Sequence, residues 1–298
     1  MKKLFVLVLC LYGFVFLFGQ KTDKKLRHRL EESIRGFNGD ISVYVKNLCT
    51  EKTVAINADT PFPTASIVKV PILIGIMDKM ERGELKYDSA LVYKDSLLYE
   101  GEDILGSFKN NEKILLKKVM MLMLTTSDNT ASLWLQSLAG KGTRINEILD
   151  SLGFINTRVN SRTPGRENNR TQYGWGQTTA KEMAMLFEKI YHNEIFSPES
   201  CDRMMRSLGR NYWDVDEAIS QIPPYIEVFS KNGCVNASRS EVLLVNAPHN
   251  PYIFSIFTKN NKDEQWTHQN EAWTRARKIS RLLWNYFEPK DKWEPPKD

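Results

Sequence analysis

The sequence is short of the residues that build metal centres. Its 298 positions hold four cysteines and four histidines, with no C-x-x-C pair and no Cys/His spacing of a zinc site. Cys10 falls in the apolar N-terminal stretch, which leaves Cys49, Cys201 and Cys234, an odd set that allows at most one disulfide. The fold must therefore be held by its core. His28, His192, His249 and His268 are scattered and no G-x-S-x-G is present, which argues against a Ser-His-Asp hydrolase. Blocks of one charge are also missing. The 41 basic and 36 acidic residues leave a net +5, two of it from Lys2 and Lys3, so no nucleic-acid partner is implied. Twelve prolines and sixteen glycines run without period, which excludes repeat architectures. What the chain does have is core: 42% hydrophobic against 26% charged residues is the balance of a globular protein, long enough for two ordinary domains.

Met1-Lys2-Lys3, the apolar stretch Leu4 to Phe18 and then Gly19-Gln20 have the charge, length and small terminal residue of a secretory signal peptide over residues 1–19. The stretch is short for a membrane span. The protein is therefore expected to be periplasmic or otherwise exported, with a membrane tether only if the leader stays uncleaved.

Beyond the leader, Leu26, Leu30, Ile34 and Phe37 recur on one helical face, and Ile41, Val43 and Val45 alternate as in a half-buried strand. Val54 to Ile56 reads as its hairpin partner. From about Ser66 to Leu208 the pattern is helical, broken by a polar loop from Thr157 to Thr178; a structureless loop of that length is usually functional. Strand character returns over Ile226 to Ser230, Glu241 to Val245 and Tyr252 to Lys259, and Asn270 to Phe287 closes the chain as a helix. The expected architecture is α/β plus α: an antiparallel sheet flanked by N- and C-terminal helices, from residues 20–64 and 210–298, with an all-helical domain over 65–209 inserted in it. A site between the two lobes is the default expectation.

Three short segments carry chemistry. Ser66-Ile67-Val68-Lys69 places a hydroxyl and an amine at i and i+3, on one face of a helix start, where a base can activate a nucleophile. Pro71 predicts an irregular first turn. Such a motif arises by chance about once in a chain of this size, so it needs support. Ser127-Asp128-Asn129 lies in the gap between two apolar helices, where Asp128 also suits an N-cap. Lys231-Asn232-Gly233 stands at a strand end.

In this order and context, the segments resemble those of the class A β-lactamases and the penicillin-binding serine peptidases of the same fold. The resemblance covers the whole exported chain and includes Phe62 to Val70 and Thr178 to Ala184. It implies that Ser66 is acylated, with Lys69 as its activating partner, and that Ser127 relays a proton to the departing nitrogen. Lys231 would help that relay and attract a substrate carboxylate, and Asn129 would hold the substrate amide. The N–H groups of Ser66 and Cys234, behind Gly233, would form the oxyanion hole. Arg239 either adds a second positive charge or is an ordinary exposed strand arginine. No metal or cofactor is implied.

Two departures stand out. Asn232 replaces the usual Thr or Ser, and its amide can still donate to a carboxylate. The class A motif E-x-x-L-N is missing from the long loop, where the expected glutamate falls near Thr163. Glu167 is the loop's only carboxylate, either a displaced base or a solvated charge between Arg166 and Arg170. A missing base slows release of the acyl group. The leading expectation is a serine hydrolase opening β-lactam rings, with slow deacylation. The alternative is a D-Ala-D-Ala carboxypeptidase or transpeptidase acting on peptidoglycan stems. A penicillin-binding sensor is disfavoured because no signalling domain accompanies the fold.

Overall fold

The computed structural model describes residues 21–101 and 104–296; the expected leader at 1–19 lies outside the described residues. The chain forms α1 (Lys24–Ile34), β1 (Asp40–Asn47), β2 (Thr53–Ile56) and β3 (Phe62–Pro63), then a 3-10 turn at Ala65–Val68 that runs into α2 (Lys69–Glu81). Next come β4 (Ala90–Val92), β5 (Lys113–Leu115), α3 (Leu116–Met121), a π-helical turn at Leu122–Thr126, α4 (Asn129–Leu138) and α5 (Lys141–Ser151). The long-loop region contains β6 (Arg158–Val159), α6 (Glu167–Tyr173) and β7 (Gly176–Thr178), and leads to α7 (Ala180–Tyr191) and α8 (Pro198–Leu208). The last third is β8 (Val228–Val235), β9 (Ser238–Val245), β10 (Tyr252–Lys259) and α9 (Glu271–Phe287).

The expected antiparallel sheet is present, in the order β2-β1-β10-β9-β8. Its two terminal segments meet in one sheet because β1 and β10 pair over their whole length, from Asp40 opposite Lys259 to Asn47 opposite Tyr252. α1 and α9 cover one face, where Leu26, Leu30, Val43, Val45, Phe254 and Leu283 share a core. α7, from the middle of the chain, packs on the other face, where Tyr44, Ile253 and Phe257 join the core of the helical lobe. With helices on both faces, β1 is not the half-buried strand that its alternation suggests. Tyr44 is 1% exposed and Ser42 is fully buried, and Lys46 ends in an ion pair with Glu188 of α7. A polar residue tolerates that face when a partner waits for it.

The stretch 157–178, expected to lack structure, instead holds β6, a short helix and β7, and its two strands join β3 in a sheet of order β3-β7-β6. Its polar composition hid these elements, since their stability comes from side-chain anchors. Glu182 of α7 accepts the N–H groups of Ile155, Asn156 and Thr157. Burial works to raise this carboxyl, but those donors prevail and hold it below the usual carboxylate range. The Lys113–Leu124 segment also departs from one helix: it opens as β5 and ends in the π turn. No described helix is long and apolar enough to cross a membrane.

Candidate active site

The start of α2 sets the first half of the site. The 3-10 turn Ala65–Val68 precedes it, and at three residues per turn the side chains at i and i+3 eclipse. Ser66 and Lys69 therefore lie one above the other. Pro71 falls in the first turn of α2, where a missing N–H costs nothing. Lys69 is fully buried, and its Nζ lies 3.0 Å from Ser66 Oγ, 3.0 Å from Ser127 Oγ and 2.9 Å from Asn129 Oδ1, with the Ser127 carbonyl as a further partner. Two of these four oxygens can only accept, and two belong to hydroxyls that can donate or accept.

The second half comes from the turn between the π segment and α4. Ser127 has φ 63° and ψ 31°, the left-handed region, and Ala65, just before the nucleophile, has φ 42°. Non-glycine residues hold such angles only where the surroundings fix them, which is common at functional sites. Asp128 does the fixing. Its buried carboxylate caps α4 at Ala131 N (2.7 Å) and accepts Leu105 N (2.8 Å), so Ser127 and Asn129 on either side are held facing Lys69.

The third segment lies within β8 rather than at its end. Gly233 is where the strand touches the nucleophile's turn: a Cβ there would sit 2.3 Å from the Thr64 carbonyl oxygen, 2.9 Å from Ser66 N and 3.0 Å from Ile67 N. Only glycine permits this approach, and it brings Asn232 and Cys234 to the wall of a cavity of about 740 Å³ that also holds Ser66, Ser127 and Asn129.

Lys231 differs from its expected role. It is fully buried and absent from the cavity wall, and Nζ donates to Asn232 O (3.0 Å) and Asn232 Oδ1 (3.1 Å). Burial pushes it down to about 8. Asn232 does donate to a carboxylate, but an internal one: its Nδ2 lies 2.9 Å from Glu217 Oε1. Cys234 Sγ also donates to Glu217, at 3.4 Å, and burial pushes its thiol up, so it stays protonated.

Two expectations are corrected. Arg239 is neither an exposed strand arginine nor a cation in the cleft. It is 3% exposed, stacked between Trp266 and Trp273 at 4.2 and 4.8 Å, and its Nη atoms donate to backbone carbonyls, among them Val235, Asn236 and Gln265. Enclosed by the two rings, with its Nη atoms on backbone carbonyls, it presents no charge at the cleft wall. Glu167 is exposed at the first turn of α6, accepts the Gly165 N–H at 3.2 Å and lines a separate surface hollow beside Lys141 and Arg170. It is a solvated loop charge. Thr163, where the loop glutamate was expected, packs on Gly142 and donates to the Ser161 carbonyl. No residue of 157–178 lines the catalytic cavity.

The sequence reading missed the segment Tyr212 to Glu217, which forms the wall opposite α2. Tyr212 N donates to Thr125 O and Trp213 Nε1 to Thr126 O, both 3.0 Å, which ties this wall to the turn that presents Ser127. Its signal was compositional, exposed aromatic residues beside three acids in a stretch without helix or strand period. Among the described residues no cluster of His, Cys, Asp or Glu could hold a metal ion.

The chain is similar to proteins of known family. Residues 25–287 match the family model described as the β-lactamase enzyme family. The β-lactamase VEB-1 of Pseudomonas aeruginosa is 21% identical over 297 residues, covering 96% of this chain and 98% of its own. β-Lactamase 3 of Bacillus cereus is 22% identical over 81% of this chain and 76% of its own. Among solved structures, PBP-A superposes with a TM-score of 0.80 at 22% identity, covering 91% of this chain and 98% of its own. A variant of PBP-A solved as an acyl-enzyme complex with penicillin G gives 0.78 at 23% identity, with the same coverage.

Proposed function

Because the chain belongs to the β-lactamase enzyme family, a serine β-lactamase-type hydrolase, we propose that it opens β-lactam rings through a Ser66 acyl-enzyme that deacylates slowly. The observation that carries this reading is Lys69 Nζ standing 3.0 Å from both Ser66 Oγ and Ser127 Oγ. Ser66 Oγ attacks the ring carbonyl and its proton passes to Lys69, which acts as the base. The N–H groups of Ser66, at a helix start where backbone donors are unpaired, and of Cys234 receive the developing oxyanion, an interaction typically worth about 2.7–4 kcal/mol per donor. As the ring C–N bond breaks, Ser127 gives its hydroxyl proton to the departing nitrogen and recovers one from Lys69.

Slow release is supported by what lines the long-loop side of the cavity. Hydrolysis of the acyl group needs a base to activate water, assistance worth about 10²–10⁴-fold. The carboxylates that line the cavity, Asp214, Asp216 and Glu217, all come from the segment after α8 and none from the long loop. The same observation supports the second reading, a D-Ala-D-Ala carboxypeptidase or transpeptidase on peptidoglycan stems, which β-lactams would trap. Export to the periplasm is part of the proposal and rests on the leader.

Mixing the protein with a chromogenic cephalosporin while following colour and intact mass tests this. One equivalent of colour and an adduct that outlives the burst by minutes are expected, and Glu167→Gln leaves that lifetime unchanged. Rapid steady turnover with no accumulated adduct would overturn slow deacylation, and a longer lifetime in Glu167→Gln would restore Glu167 as the base.

A further inference from the structure

Ser127 is pinned through both of its peptide planes. Its own carbonyl accepts Lys69 Nζ. The carbonyl before it, Thr126 O, stands at the end of the π turn, where the last carbonyls of a helix lack partners within it, and it accepts Trp213 Nε1 at 3.0 Å. A peptide unit is planar, so fixing each carbonyl fixes the plane on that side of the Ser127 Cα. Together the two hold the pair φ 63° and ψ 31°, which a serine does not adopt by preference, and the hydroxyl is aimed at Lys69. The donor on the Thr126 side belongs to a strap along the edge of the cleft. Trp213 keeps 46% of its surface exposed, so its ring is not spent on a core, and its indole offers a single N–H donor. Its backbone N donates to Asn211 Oδ1 (3.1 Å), and Asn211 Nδ2 donates to Ser230 Oγ (3.1 Å) on β8. Tyr212 N, between them, donates to Thr125 O (3.0 Å). The strap thus runs from the residue before Lys231 to the residue before Ser127 and joins the sheet to the helical lobe. Trp213 lines the catalytic cavity and Asn211 does not, so Asn211 reaches a bound substrate through the residues it holds.

We propose that Asn211 and Trp213 are positioning residues that hold the Ser127 hydroxyl where it protonates the departing nitrogen. When the ring C–N bond breaks, its electron pair goes to nitrogen, which takes the Ser127 proton. Ser127 takes in turn the proton that Lys69 received from Ser66. Without that delivery the nitrogen departs as an anion, a poor leaving group, and acylation slows. This inference rests on Ser66 acylation as proposed above.

The test is a double-mutant cycle on the full protein with penicillin G, reading second-order acylation rate constants by intact mass. Trp213→Phe, which keeps a ring and loses the N–H, and Asn211→Ala are each measured with Ser127 present and in a Ser127→Ala background. With Ser127 present, each lowers the rate about tenfold, the upper end of what one net hydrogen bond is worth. In the Ser127→Ala background, slower but readable over hours because the adduct accumulates, neither lowers it further. Equal losses in both backgrounds, or no loss in either, would overturn the proposal, since a packing or substrate-contact role does not depend on the Ser127 hydroxyl. Asn211→Ala decides the matter if Trp213→Phe folds poorly. If Ser127→Ala takes up no penicillin, the thioester benzoylglycyl thioglycolate replaces that background. Its thiolate leaves without a proton, so Asn211→Ala slows penicillin G and spares the thioester; a tenfold loss with both overturns the proposal. An unaltered protein that penicillin G never labels would instead refute Ser66 acylation itself.

Discussion

Lys69→Ala lowers the rate of Ser66 acylation by about 10²–10⁴-fold, the range over which a positioned base assists proton transfer. The Nζ touches both hydroxyls and the Asn129 side chain, so its loss removes the acceptor for the Ser66 proton and the donor that resupplies Ser127. The loss is also structural. The Ser127 carbonyl and Asn129 Oδ1 lose the Lys69 donor, a hydrogen bond worth about 0.5–1.5 kcal/mol net, in a turn that already holds Ser127 at φ 63°. Lys69→Arg separates the two effects. A guanidinium is permanently charged, so it restores donors without restoring a base. Stopped-flow acylation with a chromogenic cephalosporin and thermal unfolding of both variants measure this. Lys69→Arg is expected to recover melting temperature but not rate; recovery of the rate would contradict Lys69 as the base.

Gly233→Ala has the second large effect. The three atoms its Cβ would meet, Thr64 O, Ser66 N and Ile67 N at 2.3–3.0 Å, all belong to backbone, so no rotamer change relieves the contact. β8 must move away from the turn that carries Ser66. Overpacking of this kind costs about 1–3 kcal/mol, and a displacement of about 1 Å in a catalytic constellation costs on the order of 10² in rate. A fall of several degrees in melting temperature is expected, together with a loss of at least about 100-fold in acylation. Gly209→Ala is the control, since its nearest neighbour would be 3.4 Å away, an ordinary contact; it should leave both nearly unchanged. Equal behaviour of the two variants would remove Gly233 from the site's architecture.

The parts of this protein that were legible in its sequence are those fixed by local pattern. The strands of the main sheet announce themselves by runs such as Tyr252 to Lys259, and α9 by apolar residues at helical spacing. Ser66, Lys69 and Ser127 were legible because a 3-10 turn and an N-capped helix start need recognisable residues at set spacings, and Asp128 supplies the cap. What escaped notice depends on partners far apart in the chain. Glu217 is fifteen residues from Asn232, and nothing local marks the two as bonded. Arg239 had a plausible spacing from Lys231, yet its fate is decided by Trp266 and Trp273, on a segment and helix that follow the sheet. The long loop looked structureless because its strands are two or three residues long and its order comes from polar anchors such as Arg166 bridging Asn160 and Gln177. Asn232 was the visible clue. A departure from the usual residue at a crowded motif meant that something else had moved to meet it.

The most direct trial of the account is to treat the protein with penicillin G, digest it and locate the label by peptide mass. One penicillin, added whole because ring opening expels nothing, is expected on the peptide that carries Ser66, and Ser66→Ala should show none. A label on another residue, or one that persists at equal yield in Ser66→Ala, would contradict it.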